Sequence, residues 1–257
     1  GIGGLLMEGL GDTLRVSLTD EPENEVYAGY DMPILNQLVR ATEVHGSGGV
    51  GDAVIEEPAK QLEKQHGVDF LIDTFMNNDD ISLITLGPLT NVAQAILKEP
   101  RLKERIPQIL CMGGSATAGN ATPAAEFNIY VDPEAAKIVF ESGIPIQMVG
   151  LNVTRQNRMT AEDLERIRKI GGPVGEFTSK ILDFSLQNSE QTCICDACAV
   201  AWWIDPAVIT KSIKTNVTIE TKGEYTRGMT VCDWRDFMEQ NPKQEISRNR
   251  VTNMHEL

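Results

Sequence analysis

Between residues 81 and 150 the chain alternates short, β-rich apolar runs with stretches of helical periodicity, and few folds accept that alternation. The run "ISLITL" ends at the breaker "GP". After it, "LTNVAQAILKEP" places Leu89, Val92, Ala93, Ile96 and Leu97 on one helical face. "QILCM", around Ile109, and "IPIQMVG", from Ile144, read as two further buried strands. The segment between them, "VDPEAAKIVFESG", is punctuated at both ends. Asp132 is the expected N-cap, Pro133 occupies the first helical position, and Gly143 closes the helix. Strands joined through helices by short connections pair in parallel, with the helices on the faces of the sheet.

The expected fold is therefore α/β: an open, mostly parallel, Rossmann-like sheet flanked by helices, with additional C-terminal helices. Those extra helices are "TAEDLERIRKI", opening on a capping-box-like Thr160 and Asp163, then "PVGEFTSKILDFSLQNSEQ" and "DACAVAWWIDP". "NVTIET" reads as a later strand. No linker-like composition or charge block divides the chain, so residues 1–257 are read as one domain around one sizeable core. Ligands in open parallel sheets bind outside the carboxyl ends of the strands. That rule singles out residues 86–91, 112–128 and 195–196.

A net charge of −14 argues against nucleic-acid binding, which needs clustered Lys and Arg to neutralise phosphates. No apolar run approaches the roughly 18 residues of a membrane span, and no signal-peptide pattern opens the sequence. The 5 cysteines are an odd number in a large chain, and three of them crowd into "CICDAC". A disulfide framework is not expected from that usage, and a reducing, cytoplasmic setting is. The sequons at Asn120, Asn152 and Asn216 then read as chance matches.

The stretch "GNATPAAEFNIYVDPEAA" carries Asn120, Glu126 and Asn128 just after the apolar "ILCMGG". On local spacing alone, Asx-turn chemistry in a long loop accounts for it equally well. Taken in order, however, "VYAG", "HGSGGVGD", "ITLGPLTNVAQA", "MGGSATAGNATPAAEFNIYVDPEAA", "DACAVAWWIDP" and "TRGMTVCD" resemble the inosine–uridine-preferring nucleoside hydrolases. The resemblance covers nearly the whole chain, and "GPLTNVA" and "AEFNIYVDPEAA" are its most specific parts.

That resemblance implies hydrolysis of the N-glycosidic bond of a ribonucleoside to free base and ribose. It implies a calcium ion (Ca2+) that holds the ribose 2′- and 3′-hydroxyls and the attacking water, with an aspartate as base. A hard cation suits such a task, since it prefers oxygen ligands and lowers the pKa of bound water. Asn120, Glu126 and Asn128 would hold the sugar, and Met112 would lie beneath it. Leu86 would offer a backbone carbonyl to the ion and Asp196 a carboxylate. His45, in the glycine-rich "HGSGGVGD", would sit on a flap over the pocket. A homodimer or homotetramer is implied as well.

Two departures from the family pattern stand out. Where well-known members carry histidine then aspartate, this chain has Cys195 and Asp196. The histidine protonates the departing base, a task suited to a pKa of ~6.5. A thiol, at ~8.5, still has a proton to give but is driven less strongly near neutrality. Cys195 is the expected acid, set against a reading as a small apolar residue at a helix start. Asp196 is compatible with a plain N-cap role. The "CICDAC" spacing also suits a soft-metal cluster, though it lacks a convincing fourth ligand.

The second departure is the family's opening strand and its "D-x-D-P-G-x-D-D" motif, which supply most calcium ligands and the general base. Nothing like it occurs here, and Gly3 falls where an asparagine would contact sugar. The C-terminal "NMHEL" also looks short of the family's last segment. Either the natural chain extends further than this sequence, or a diverged paralogue binds nucleoside or ribose without cleaving it. Base preference is not legible; Phe184 is the one aromatic near "ILDFSLQN", and Trp202 and Trp203 read as helix-packing residues.

Overall fold

A computed structural model describes residues 14–15, 26–40, 62–187, 190–235 and 251–256. Two short strands, Leu14–Arg15 (β1) and Val26–Tyr27 (β2), pair antiparallel. Helix Gly67–Asn77 (α1) precedes strand Leu83–Thr85 (β3), helices Thr90–Lys98 (α2) and Leu102–Arg105 (α3), and strand Ile109–Met112 (β4). Helices Phe127–Val131 (α4) and Pro133–Phe140 (α5) lead into strand Ile146–Val149 (β5). Beyond it lie Leu151–Thr154 (α6), Arg158–Met159 (β6), Ala161–Ile170 (α7), Gly172–Gln187 (α8), Thr192–Cys193 (β7) and Cys195–Ile204 (α9). Strands Lys211–Thr215 (β8), Val217–Ile219 (β9), Thr230–Cys232 (β10) and Val251–Glu256 (β11) complete the order.

The main sheet runs β3-β4-β5-β11-β8. β3, β4, β5 and β11 are mutually parallel, and only β8 runs antiparallel, against β11. Leu83 lies opposite Ile109, which lies opposite Ile146. The three apolar runs are thus neighbours, as their alternation with helices requires.

β4 shows why these runs are apolar throughout. All of its residues are buried, because an interior parallel strand is covered on both faces. Ile109 and Cys111 point into a cluster with Leu71 and Phe75 of α1, Ile96 of α2 and Val139 of α5. Leu110 and Met112 point the other way, into a smaller cluster with Leu151, Val153, Cys198 and Ala199. Each large side chain so buried contributes about 1.5–3 kcal/mol. The smaller cluster docks α9 beneath the carboxyl end of β4, which matters for the site.

Local signals held where they were self-contained. Asp132 accepts from Ala135 N at 3.0 Å, Pro133 opens α5, and Gly143 follows it with φ +88°. Thr160 and Asp163 form a complete capping box on α7. The face assigned to α2 needs correction, since Leu97 is 56% exposed whereas Ala95 is fully buried. The buried stripe is rotated toward the body of the helix, and Leu97 projects from its last turn. Trp202 packs against the smaller cluster, but Trp203 is exposed. No described helix is long and apolar enough to cross a membrane.

Candidate active site

The carboxyl ends of β3 and β4 open side by side. As the chain leaves β4, Gly114 turns with φ +73°, where a Cβ would stand 2.7 Å from Thr230 Cγ2. Its N–H donates to Glu126 Oε2 at 2.8 Å. Glu126 is also the N-cap of α4, accepting from Asn128 N at 3.0 Å and Ile129 N at 3.2 Å. One buried carboxylate therefore fixes both the start of the loop and the start of the helix that ends it. Burial pushes the Glu126 carboxyl up; the three backbone N–H groups oppose that shift, and the charge of Asp196 adds to it.

Asn128 lies on the first turn of α4. Its Nδ2 donates to Met112 O at 3.1 Å and to Leu86 O at 3.4 Å, and lies 3.3 Å from Met112 Sδ. The amide thus bridges the ends of β3 and β4, leaving its Oδ1 open as an acceptor. Asn120 is exposed, and its Oδ1 accepts from Phe127 N at 2.9 Å, so its Nδ2 remains a donor.

The loop between Gly114 and Glu126 is held from outside as well. Ser115 N donates to Thr230 Oγ1 at 2.8 Å, and that hydroxyl donates back to Ser115 O at 2.6 Å. Ala116 N donates to Asn152 Oδ1 at 3.1 Å. The Arg155 guanidinium donates to Ala118 O at 2.8 Å and Gly119 O at 2.6 Å. Sequence reasoning missed Asn152, Thr154, Arg155 and Thr230. The position of "GLNVTR" at the carboxyl end of a strand was the available signal for the first three.

α9 supplies the remaining groups. Its N-cap is Ile194, with no side-chain cap hydrogen bond, so Asp196 does not play the plain capping role its position allowed. Asp196 lies one residue inside the helix, open to solvent on one side and crowded by protein on the others. That desolvation pushes its carboxyl up to about 6, and among the described residues no donor or cation offsets it. Cys195 is half-buried, and its thiol donates to Thr154 Oγ1 at 3.4 Å. Burial raises the thiol's pKa, Thr154 opposes the shift, and the charges of Asp196 and Glu126 reinforce it. Cys195, Asp196 and Glu126 are thus near enough to influence one another.

Of the residues singled out from sequence, Leu86, Met112, Asn120, Glu126 and Asn128 converge on one mouth, with Cys195 and Asp196 facing it. His45 and Gly3 lie outside the described residues. The cysteines are free thiols, and among the described residues no group of three His, Cys, Asp or Glu side chains is placed to hold a metal. Among the described residues, the donors at the mouth are the Asp196 carboxylate, with no donor or cation beside it, and the Leu86 carbonyl, which accepts a long contact from the Asn128 amide. Their oxygen chemistry fits a hard cation and not a soft one.

A family model described as inosine-uridine preferring nucleoside hydrolase matches residues 10–255. A pyrimidine-specific ribonucleoside hydrolase, RihA, from Photobacterium profundum is 42% identical over 233 residues, covering 87% of this chain and 75% of that one. RihA from Escherichia coli is 39% identical over 234 residues, covering 88% and 75%. Among solved structures, the plant nucleoside hydrolase PpNRh1 aligns with a TM-score of 0.83 at 26% identity, covering 91% of this chain and 76% of that one. A purine-preferring ribonucleoside hydrolase from Gardnerella vaginalis aligns at 0.80 and 29% identity, with the same coverage.

Proposed function

Because this chain belongs to the inosine-uridine preferring nucleoside hydrolase family and is a nucleoside N-ribohydrolase, we propose that the mouth above β3 and β4 is where it cleaves ribonucleosides to base and ribose. The observation that carries this reading is the convergence of Glu126 and Asn128 with the main chain of Leu86 and Met112, within reach of the charge of Asp196, which has no partner among the described residues.

Asn128 Oδ1, Asn120 Nδ2 and the remaining lone pair of Glu126 face a polyol with the acceptors and donor its hydroxyls need. Met112, whose sulfur lies beside the Asn128 amide, would lie beneath the sugar at the edge of the buried cluster. Departure of the base leaves positive charge on the ribose ring, as in an oxocarbenium ion. Fixed oxygens of Glu126, Asn128 and Asp196 stabilise that charge without having to reorganise. Cys195 supplies the proton that the departing base takes. Asp196 and the Leu86 carbonyl would help hold calcium, which when bound binds hydroxyls and acidifies water.

We take residues 1–257 as one nucleoside hydrolase-like domain, and pyrimidine nucleosides as the preferred substrates, as the RihA relatives' names suggest. The test is ribose release from uridine, cytidine, inosine and guanosine, with calcium and with a chelator. Chelator-sensitive release favouring uridine and cytidine supports the reading. Nucleoside-induced thermal stabilisation without ribose release overturns the catalytic role of this mouth and leaves a binding role.

A further inference from the structure

Cys195 does not stand alone at the start of α9. Its sulfur lies 3.4 Å from Thr154 Oγ1, and Thr154 is fully buried. Thr154 ends the short helix α6, where its backbone N–H is anchored on Gly150 O at 3.1 Å. On either side of the contact, Leu151 and Val153 of α6 share an apolar cluster with Cys198 and Ala199 of α9. The two backbone segments are therefore packed together around the contact between the hydroxyl and the sulfur. The residues flanking Thr154 face the other half of the mouth: Asn152 receives Ala116 N, and Arg155 holds the carbonyls of Ala118 and Gly119. One turn of chain after β5 thus touches both the proton donor and the loop that carries Asn120.

We propose that Thr154 is a positioning residue for the proton transfer, fixing Cys195 Sγ at the mouth and keeping a hydrogen bond on the sulfur throughout the step. The inference rests on the reading of Cys195 as the proton donor. In the resting site the thiol donates to the hydroxyl. During cleavage the S–H bond breaks and an N–H bond forms on the base, while the glycosidic electron pair leaves with the base. The S–H pair stays on sulfur as a thiolate. The hydroxyl, free to turn about its C–O bond, then donates to that sulfur. Water adds hydroxide to C1′, and its remaining proton restores the thiol through solvent.

The test compares two substrates on the full chain. Uridine needs its leaving base protonated. p-Nitrophenyl riboside releases a phenolate that is stable near neutrality and needs no proton. Thr154→Val, which removes only the hydroxyl, is expected to lower kcat for uridine by about 10- to 100-fold with KM unchanged, the scale of a misplaced reacting group. It is expected to leave p-nitrophenyl riboside turnover intact, and Thr154→Ser is expected to restore uridine turnover. Thr154→Ala provides a second hydroxyl deletion if the valine does not fold. Cys195→Ala sets the benchmark, with the same selectivity and a loss of about 10²- to 10⁴-fold typical of a general acid. Equal losses on both substrates for the Thr154 variants, or none on uridine, overturn the inference while leaving Cys195 in place. A Cys195→Ala variant without selective loss, or a wild-type chain that cleaves neither substrate, overturns the reading of Cys195 and this inference with it.

Discussion

Replacing Glu126 by glutamine tests whether one carboxylate holds the mouth together. Its Oε2 receives Gly114 N and Ile129 N, and its Oε1 receives Asn128 N. Glutamine keeps one oxygen, which can serve Gly114 and Ile129, but turns an NH2 toward the N–H of Asn128. Where the carboxyl is ionised, the change removes a charge-assisted bond worth about 1.5–3 kcal/mol and leaves a donor facing a donor, at about 1–3 kcal/mol. Relief from burying a charge offsets part of that, giving a net loss of about 2–4 kcal/mol. For a chain of this size the midpoint of thermal unfolding should fall by roughly 5–15 °C.

The pH dependence has a definite sign. Burial raises the folded pKa of Glu126 above its unfolded value of roughly 4.3, so the native state binds its proton more tightly. The wild type's margin over Glu126→Gln is then full at pH values below the unfolded pKa and shrinks as pH rises through the folded one. Urea unfolding of both proteins at acid and neutral pH measures this. A loss under about 1 kcal/mol at every pH, or a margin that grows with pH, would refute the assignment of Glu126 as the joint between loop and α4.

Two further perturbations reach the other walls of the site. Asp196 carries a folded pKa of about 6 against roughly 3.9 unfolded, so metal-free wild-type protein should lose stability as pH rises between those values. Asp196→Asn should therefore melt higher than wild type without metal well above pH 6, with no gain below the unfolded pKa. Added calcium should raise the melting temperature of the wild type and not of the variant; differential scanning fluorimetry reads both. Arg155→Ala removes both side-chain bonds to Ala118 O and Gly119 O, and should raise KM for nucleoside by about tenfold, the equivalent of roughly 1.4 kcal/mol. Steady-state kinetics on a variant of near-normal melting temperature checks it; an unchanged KM would show that the loop holds its shape without the arginine.

Much of the fold was legible because its signals are local. Asp132 and Pro133 announce α5, Thr160 and Asp163 announce α7, and the apolar character of Ile109, Leu110, Cys111 and Met112 follows from a strand covered on both faces. β8 escaped notice because "KSIKT" is mostly exposed and carries no clean alternation. Asp196, expected as a metal ligand, was also compatible with a cap because composition cannot tell the N-cap from the position two residues beyond it. The supports of the site were the hardest to see. Thr230 meets Ser115, Arg155 meets Gly119 and Thr154 meets Cys195 only after the sheet has assembled. No spacing rule links residues so far apart, whereas Asn120, Glu126 and Asn128 sit close enough in sequence to be read as a group.

The placement of β11 sets a clock on synthesis. Among the described residues, β5 pairs with β4 on one edge and waits on the other for Val251 to lie opposite Ile146, and β8 finds its partner in the same late strand. A ribosome that has delivered every strand of the mouth still exposes the open edge of β5, and such edges recruit other chains. Closing a pairing so distant in sequence is also slow, because the loop entropy is lost before the contact is gained. A nascent chain stalled before residue 251 would therefore own a nearly finished cleft on an unfinished sheet, and be a client for chaperones rather than a working catalyst.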